Sequence, residues 1–123
     1  MMRFEVGIKP IPQNQKLKRG RGNKLYLNNE FRVTWDAIHK EFQMIAFKNN
    51  YTPIFKPREA VVTISHNNMR ADVDAFTKAV LDYLQGVTFE NDSQVTKVIA
   101  IKEKRSHPHM IVIVEETENQ TIE

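Results

Sequence analysis

No cysteine occurs among the 123 residues, which removes disulfide scaffolds, thiolate zinc sites, thiol nucleophiles and redox chemistry of the chain's own. Any catalysis must run on carboxylates, histidine, lysine, hydroxyls or a metal held by oxygen ligands. No apolar run approaches the roughly 20 residues needed to cross a bilayer. The start, Met1-Met2-Arg3-Phe4-Glu5-Val6, lacks the apolar stretch of a secretory signal, so a cytoplasmic protein with no membrane partner is expected. Glycine is scarce, at four residues, and no segment is repeated or of low complexity, so collagen-like and disordered classes fall away. What remains is 41% hydrophobic and 27% charged, the balance of an ordinary folded domain. The length suits one core rather than two, so residues 1–123 are read as a single domain.

The formal charge of +3 is unevenly spread. Residues 1–24 carry seven bases against Glu5, a net of +6, and the last nine residues carry four glutamates and no base, a net of −4. The basic segment, with Lys16, Lys18, Arg19 and Arg21 interleaved by Gly20 and Gly22, attracts polyanions and allows close approach to phosphates. A solvated surface loop over residues 10–24 is the alternative. The acidic end, 116–123, reads as a frayed, solubilising tail.

Phe4 to Lys9, closed by Pro10 and Pro12, is predicted as a first strand. From Asn28 or Asn29 as N-cap, apolar residues recur at Phe31, Trp35, Ile38, Phe42 and Ile45, one face of a helix that ends near Asn49-Asn50. Glu59 to His66 is rich in branched residues and reads as a strand. Asp72 to Gln85 is predicted helical, with Val73, Phe76, Val80, Tyr83 and Leu84 facing the core and Gly86 terminating it. Val95 to Lys104 and Met110 to Glu116 read as two more strands, a β-hairpin or neighbours in the sheet. The order strand, helix, strand, helix, strand, strand predicts an α+β fold, a mixed β-sheet with two helices packed on it.

The chemistry-bearing residues cluster around the second helix. Asp72 and Asp74 bracket its predicted start, and Asp74, Lys78 and Asp82, spaced by four, would share a face. Asp92 precedes a strand, and a loop returning from the helix would bring it to the Asp72 end. Three converging carboxylates repel unless a cation neutralises them, and Mg²⁺, which takes oxygen ligands and substrate phosphates, suits that role. The alternative is structural: aspartates opposing the helix dipole and a surface ladder of Asp74, Lys78 and Asp82. His107 and His109 flank a proline on a turn and are either solvated or co-ligands. His66, near the acidic pair, reads as a proton shuttle or a satisfied core histidine.

These segments resemble the RusA-type Holliday junction resolvases. Arg70-Ala71-Asp72-Val73-Asp74-Ala75-Phe76-Thr77-Lys78, continuing to Asp82, is similar to that family's Asp-x-Asp-Asn-x-x-Lys-x-x-x-Asp pattern, and Asn91-Asp92-Ser93-Gln94-Val95 to its Asp-Asp-x-Gln-Val. Pro10-Ile11-Pro12-Gln13-Asn14 stands where the family has a Pro-rich, Asn-containing segment. Ala75 and Asn91 depart from the pattern, which bears on how ligands are oriented. The resemblance implies a homodimeric, Mg²⁺-dependent endonuclease, with Mn²⁺ as a substitute, that nicks four-way DNA junctions in symmetric pairs; such enzymes are often prophage-encoded. It assigns the metal to Asp72, Asp74 and Asp92, transition-state charge to Lys78, and phosphate contacts to Lys16, Lys18, Arg19, Arg21 and Arg70. A two-fold enzyme also matches a two-fold substrate. Two rivals stand beside this reading. One is a non-catalytic DNA-binding module that uses only the basic loop. The other is a phosphohydrolase of small nucleotides, disfavoured because no Gly-rich phosphate loop is present.

Overall fold

Alternating burial along three strands marks out the sheet's inner face: Met2, Phe4 and Val6, then Ala60, Val62, Ile64 and His66, then Met110, Val112 and Val114 are all buried. This period of two is what a sheet with one face on the core requires. The computed structural model describes residues 1–117. Its elements are β1 (Met2–Val6), β2 (Leu17–Arg19), β3 (Leu25–Leu27), α1 (Asn29–Lys48), β4 (Glu59–His66), α2 (Thr77–Leu84), β5 (Val95–Lys102) and β6 (Met110–Thr117). The main sheet has the order β1-β6-β4-β5. β6 is antiparallel to both β1 and β4, while β4 and β5 run parallel. The α+β architecture expected from the sequence is the one observed.

Helix α1 begins where the chain can cap it, since the Asn28 side chain accepts the Glu30 N–H at 3.1 Å. It buries Phe31, Ile38, Phe42 and Ala46 and ends at Asn49. Phe42 meets Phe4 at 4.8 Å and Tyr83 of α2 at 5.5 Å between ring centroids, so strand, long helix and short helix share one aromatic cluster. Deleting the Phe42 ring would cost about 3–5 kcal/mol. Burial holds the Tyr83 hydroxyl well above its ordinary pKa, so it stays neutral within the packed cluster.

Four expectations are corrected here. The strands after α2 are not a hairpin: β4 lies between β5 and β6, because the chain returns through the 103–109 loop past the end of β4. There Arg105 donates to the Ser65 carbonyl at 2.9 Å and the Ser65 hydroxyl at 2.8 Å. The basic segment is not an open loop, for β2 and β3 pair as a small antiparallel sheet. Val73 does not face the core and is exposed. Glu116 is not frayed: it belongs to β6 and meets Arg58 at 3.2 Å. The remainder of the expected tail, 118–123, lies outside the described residues.

Among the described residues, no helix covers the opposite face of the sheet. Val61, Thr63, Ile111 and Ile113 are partly covered there and Ile99 is exposed.

Candidate functional site

Where β4 ends, the chain does not enter a helix directly. Asp72 to Phe76 form successive turns, with Ala75 N–H donating to the Asp72 carbonyl and Thr77 N–H to the Asp74 carbonyl, both at 3.1 Å. α2 starts only at Thr77, five residues later than the apolar spacing predicts. The cause is a competition for carbonyls. His66 Nε2 donates to the Asp72 carbonyl at 3.0 Å and the Val73 carbonyl at 3.2 Å, and Lys102 Nζ donates to the Ala71 carbonyl at 3.0 Å. Groups turned toward the end of the sheet cannot serve an i→i−4 ladder. Asp72, Val73 and Asp74 consequently stand exposed on a turn. Asp74, Lys78 and Asp82 do not form a salt-bridge ladder: among the described residues the ion pairs are Arg3–Glu5, Arg58–Glu116 and Arg105–Glu103.

His66 is 1% exposed and its ring packs edge-on against Phe76, with centroids 4.7 Å apart. Burial first, then the nearby charges of Lys102 and Arg105, outweigh its backbone hydrogen bonds and hold its pKa below the usual histidine value. Nδ1 accepts the Asn68 N–H at 3.2 Å. A ring so enclosed and satisfied on both nitrogens is a core histidine rather than a proton shuttle.

Beside the turn lies a cavity of about 460 Å³ whose walls include Pro12, Gln13, Asn14, Gln15, Asn68, Arg70, Asp72 and Ala75. Sequence-distant segments meet here: the Pro12–Asn14 stretch faces Arg70 and Asp72, and the Gln13 N–H reaches the Ala75 carbonyl at 3.4 Å. Asp72 thus shares the cavity with Gln13, Asn14, Gln15, Asn68 and Arg70. Next to it is a second cavity, of about 380 Å³, lined by Lys9, Asn67, Asn68, Met69, Arg70 and His109, so Arg70 stands between the two. Burial and the neighbouring His107 and Lys9 keep His109 below the ordinary histidine pKa. The rings of His107 and His109 are 4.8 Å apart, but no third ligand completes a metal site among the described residues.

Asp92 is elsewhere. It opens a 3₁₀ turn, Asp92–Gln94, that leads straight into Val95, which pairs with Ala60 at the start of β4. Asp72 is bound to His66, at the end of β4. Six residues of strand separate Ala60 from His66, roughly 20 Å at about 3.3 Å per residue. The expected return of Asp92 to the Asp72 end does not occur, and among the described residues no three acidic or histidine side chains form a metal-holding group. Gln94 fixes the Asp92 turn. Its Oε1 accepts the Glu90 and Asn91 N–H groups at 2.9 and 3.0 Å, and its Nε2 donates to the Ile54 and Arg58 carbonyls, both at 3.0 Å.

The basic hairpin adjoins the first cavity through its base. Asn28 donates its backbone N–H to the Lys16 carbonyl at 2.8 Å and its side-chain amide to the Gln15 carbonyl at 3.0 Å. Lys16, Lys18, Arg19 and Arg21 are exposed. Lys78 is also exposed, in the first turn of α2.

Sequence reasoning missed Lys102, Gln94's anchoring role, and Lys9. Lys102 closes a strand and looks like any solvated lysine, and only the parallel pairing of β5 with β4 carries it to the Ala71 carbonyl. The acidic residues fit an oxygen-ligated cation: Asp72 and Asp74 are exposed carboxylates without an ion-pair partner among the described residues, and one or two carboxylates are what Mg²⁺ ordinarily takes.

No curated protein matches the chain. The profile of the family described as endodeoxyribonuclease RusA matches residues 7–115, from the residue after β1 into β6, the last strand of the sheet. With nearly the whole described chain covered, including both acidic segments and the cavity between Asp72 and Arg70, the protein belongs to the RusA endodeoxyribonuclease family.

Proposed function

We propose that the protein is a magnesium-dependent, structure-selective endonuclease that resolves four-way DNA junctions by paired nicks, acting as a homodimer. The observation that carries this reading is the cavity that unites Asp72, Arg70, Gln13, Asn14 and Asn68 within the matched stretch of the chain. Asp72 and Asp74 would hold the cation, which supplies a Lewis acid for the phosphodiester and a more acidic water. Arg70, at the rim, binds the phosphate at the cleavage point and keeps the strand in line with the aspartates. Lys78 stabilises negative charge as it develops on the transferring phosphate. Lys16, Lys18, Arg19 and Arg21 hold neighbouring backbone phosphates without reading sequence.

Asp92 enters through the dimer. Within one chain it is a strand's length from Asp72, whereas a second copy can present its own Asp92 to the first copy's Asp72–Asp74 turn. The helix-free sheet face with Val61, Ile99, Ile111 and Ile113 offers apolar area for such pairing. A soluble, cytoplasmic enzyme of recombination and repair fits the absence, among the described residues, of any helix long and apolar enough to cross a membrane.

The alternative, a non-catalytic DNA-binding module, is favoured by one observation, the lack of a three-carboxylate group among the described residues. One experiment separates them: four-way junction DNA against a matched linear duplex, each with and without Mg²⁺. Paired nicks confined to the junction with Mg²⁺ support the enzyme; binding without nicking under every condition supports the module.

A further inference from the structure

Three consecutive carbonyls, those of Ala71, Asp72 and Val73, are taken by side chains from the adjacent ends of two parallel strands. His66 and Lys102 are ladder partners, so their side chains leave the sheet at the same level. Lys102 Nζ reaches the first carbonyl at 3.0 Å, and His66 Nε2 shares its hydrogen between the second and third at 3.0 and 3.2 Å. Two acceptors on Nε2 require a proton there, while the Asn68 N–H pointing at Nδ1 from 3.2 Å requires a lone pair there. Three backbone groups therefore define one neutral tautomer and one ring orientation. With its carbonyls drawn inward, the turn leaves Asp72 and Asp74 exposed to solvent.

We propose that His66 and Lys102 are positioning residues for the candidate site: together they clamp the Ala71–Val73 backbone so that the Asp72 and Asp74 carboxylates are held in the geometry a cation and a phosphate need. This rests on the metal reading above. Neither residue touches the reacting atoms; each acts through the turn, as the outer hydrogen bonds of metal sites do, where their loss typically costs 10- to 100-fold in affinity.

The charge of Lys102 gives the idea a sign that simple electrostatics does not share. Removing a cation near two carboxylates strengthens attraction for a divalent ion if charge is all that matters. If the lysine instead aims the turn, its removal weakens that attraction.

The test uses the full chain without DNA and Mn²⁺ as the probe, in His66→Phe, His66→Gln and Lys102→Met. Calorimetric titration is expected to show Mn²⁺ bound about tenfold more weakly by His66→Phe. In His66→Gln, which keeps an N–H near the position of Nε2, affinity should return to within about threefold of wild type. Lys102→Met should bind severalfold more weakly despite losing a positive charge. Amide hydrogen exchange at Ala75 and Thr77, whose N–H groups close the turn, should speed up at least tenfold in His66→Phe and Lys102→Met, with β4 amides unchanged. Mn²⁺ affinity in His66→Phe within twofold of wild type, or tighter binding by Lys102→Met, overturns the proposal. Should His66→Phe fail to fold, Lys102→Met decides by the same two measurements, since its side chain is on the surface. Should wild type bind no Mn²⁺, the metal assignment is at fault, and exchange at Ala75 and Thr77 alone decides the clamp: unaltered rates overturn it.

Discussion

The basic hairpin and the acidic turn are both exposed and both charged, yet they are built in opposite ways. All six strand residues of β2 and β3 are exposed, including Leu17, Leu25 and Leu27, and the hairpin is tied down mainly at its base by Asn28. The acidic turn is bonded at three successive carbonyls to the end of the core sheet. A surface that grips a polyanion needs charge and reach, because phosphates recur along the strand and many placements are nearly equivalent. A group that does chemistry on one phosphate must be held to a fraction of an ångström.

This contrast breaks most sharply at the aspartates. Asp72→Asn or Asp74→Asn is expected to reduce junction cleavage to background while binding stays equal or tightens, since a charge that repels phosphate is lost; a gel-shift titration beside a single-turnover cleavage assay shows both. Wild-type nicking by either variant with Mg²⁺ present would remove the metal from this turn. Next in size is Lys78→Ala. It has no ion-pair partner among the described residues, so its melting temperature should hardly move, but the cleavage rate should fall by on the order of 10² to 10³. A rate within about threefold of wild type would leave the aspartates to act without it. The hairpin should behave differently in kind. Replacing Lys16, Lys18, Arg19 and Arg21 with alanine should weaken binding to every DNA and flatten the salt dependence by about 0.9 in slope per lost contact. Cleavage at saturating enzyme should persist, and an unchanged slope would mean that phosphates are held elsewhere. Smallest is Gln94→Ala, which removes the partner of two part-buried N–H groups and two carbonyls and should cost about 1–3 kcal/mol in denaturant unfolding without altering junction affinity.

What could be read from the sequence follows the range of the interactions responsible. α1 was legible to within a residue because Asn28 caps it locally and Phe31, Ile38 and Phe42 recur at helical spacing. β4 was legible from its branched residues. The start of α2 was not, because the bonds that divert its first carbonyls come from His66 and Lys102, the latter some thirty residues downstream, and nothing near Asp72 announces them. The insertion of β4 between β5 and β6 is likewise a long-range pairing that two adjacent strand-like runs cannot reveal. The hairpin was hidden by its own composition: Lys16 to Lys24 looks like solvated loop, and its pairing buries too little to leave a pattern. At the site, neither the meeting of Pro12–Asn14 with Asp72 and Arg70 nor the place of Asp92 was legible, because both depend on the topology of the fold.

That topology sets a stoichiometry. Since β4 and β5 are parallel with α2 between them, the connection carrying Asp72 and Asp74 opens at one end of the sheet and the one carrying Asp92 at the other. No local rearrangement of a single chain unites them. If all three serve one phosphate, the smallest competent particle is a pair of chains with two reciprocal centres. Activity would then fall with the square of protein concentration on dilution below the dissociation constant of the pair. Mixing Asp74→Asn chains with Asp92→Asn chains, each inert alone, would create mixed pairs with one intact centre and one doubly defective. Such pairs would nick a single strand of the junction and leave it unresolved.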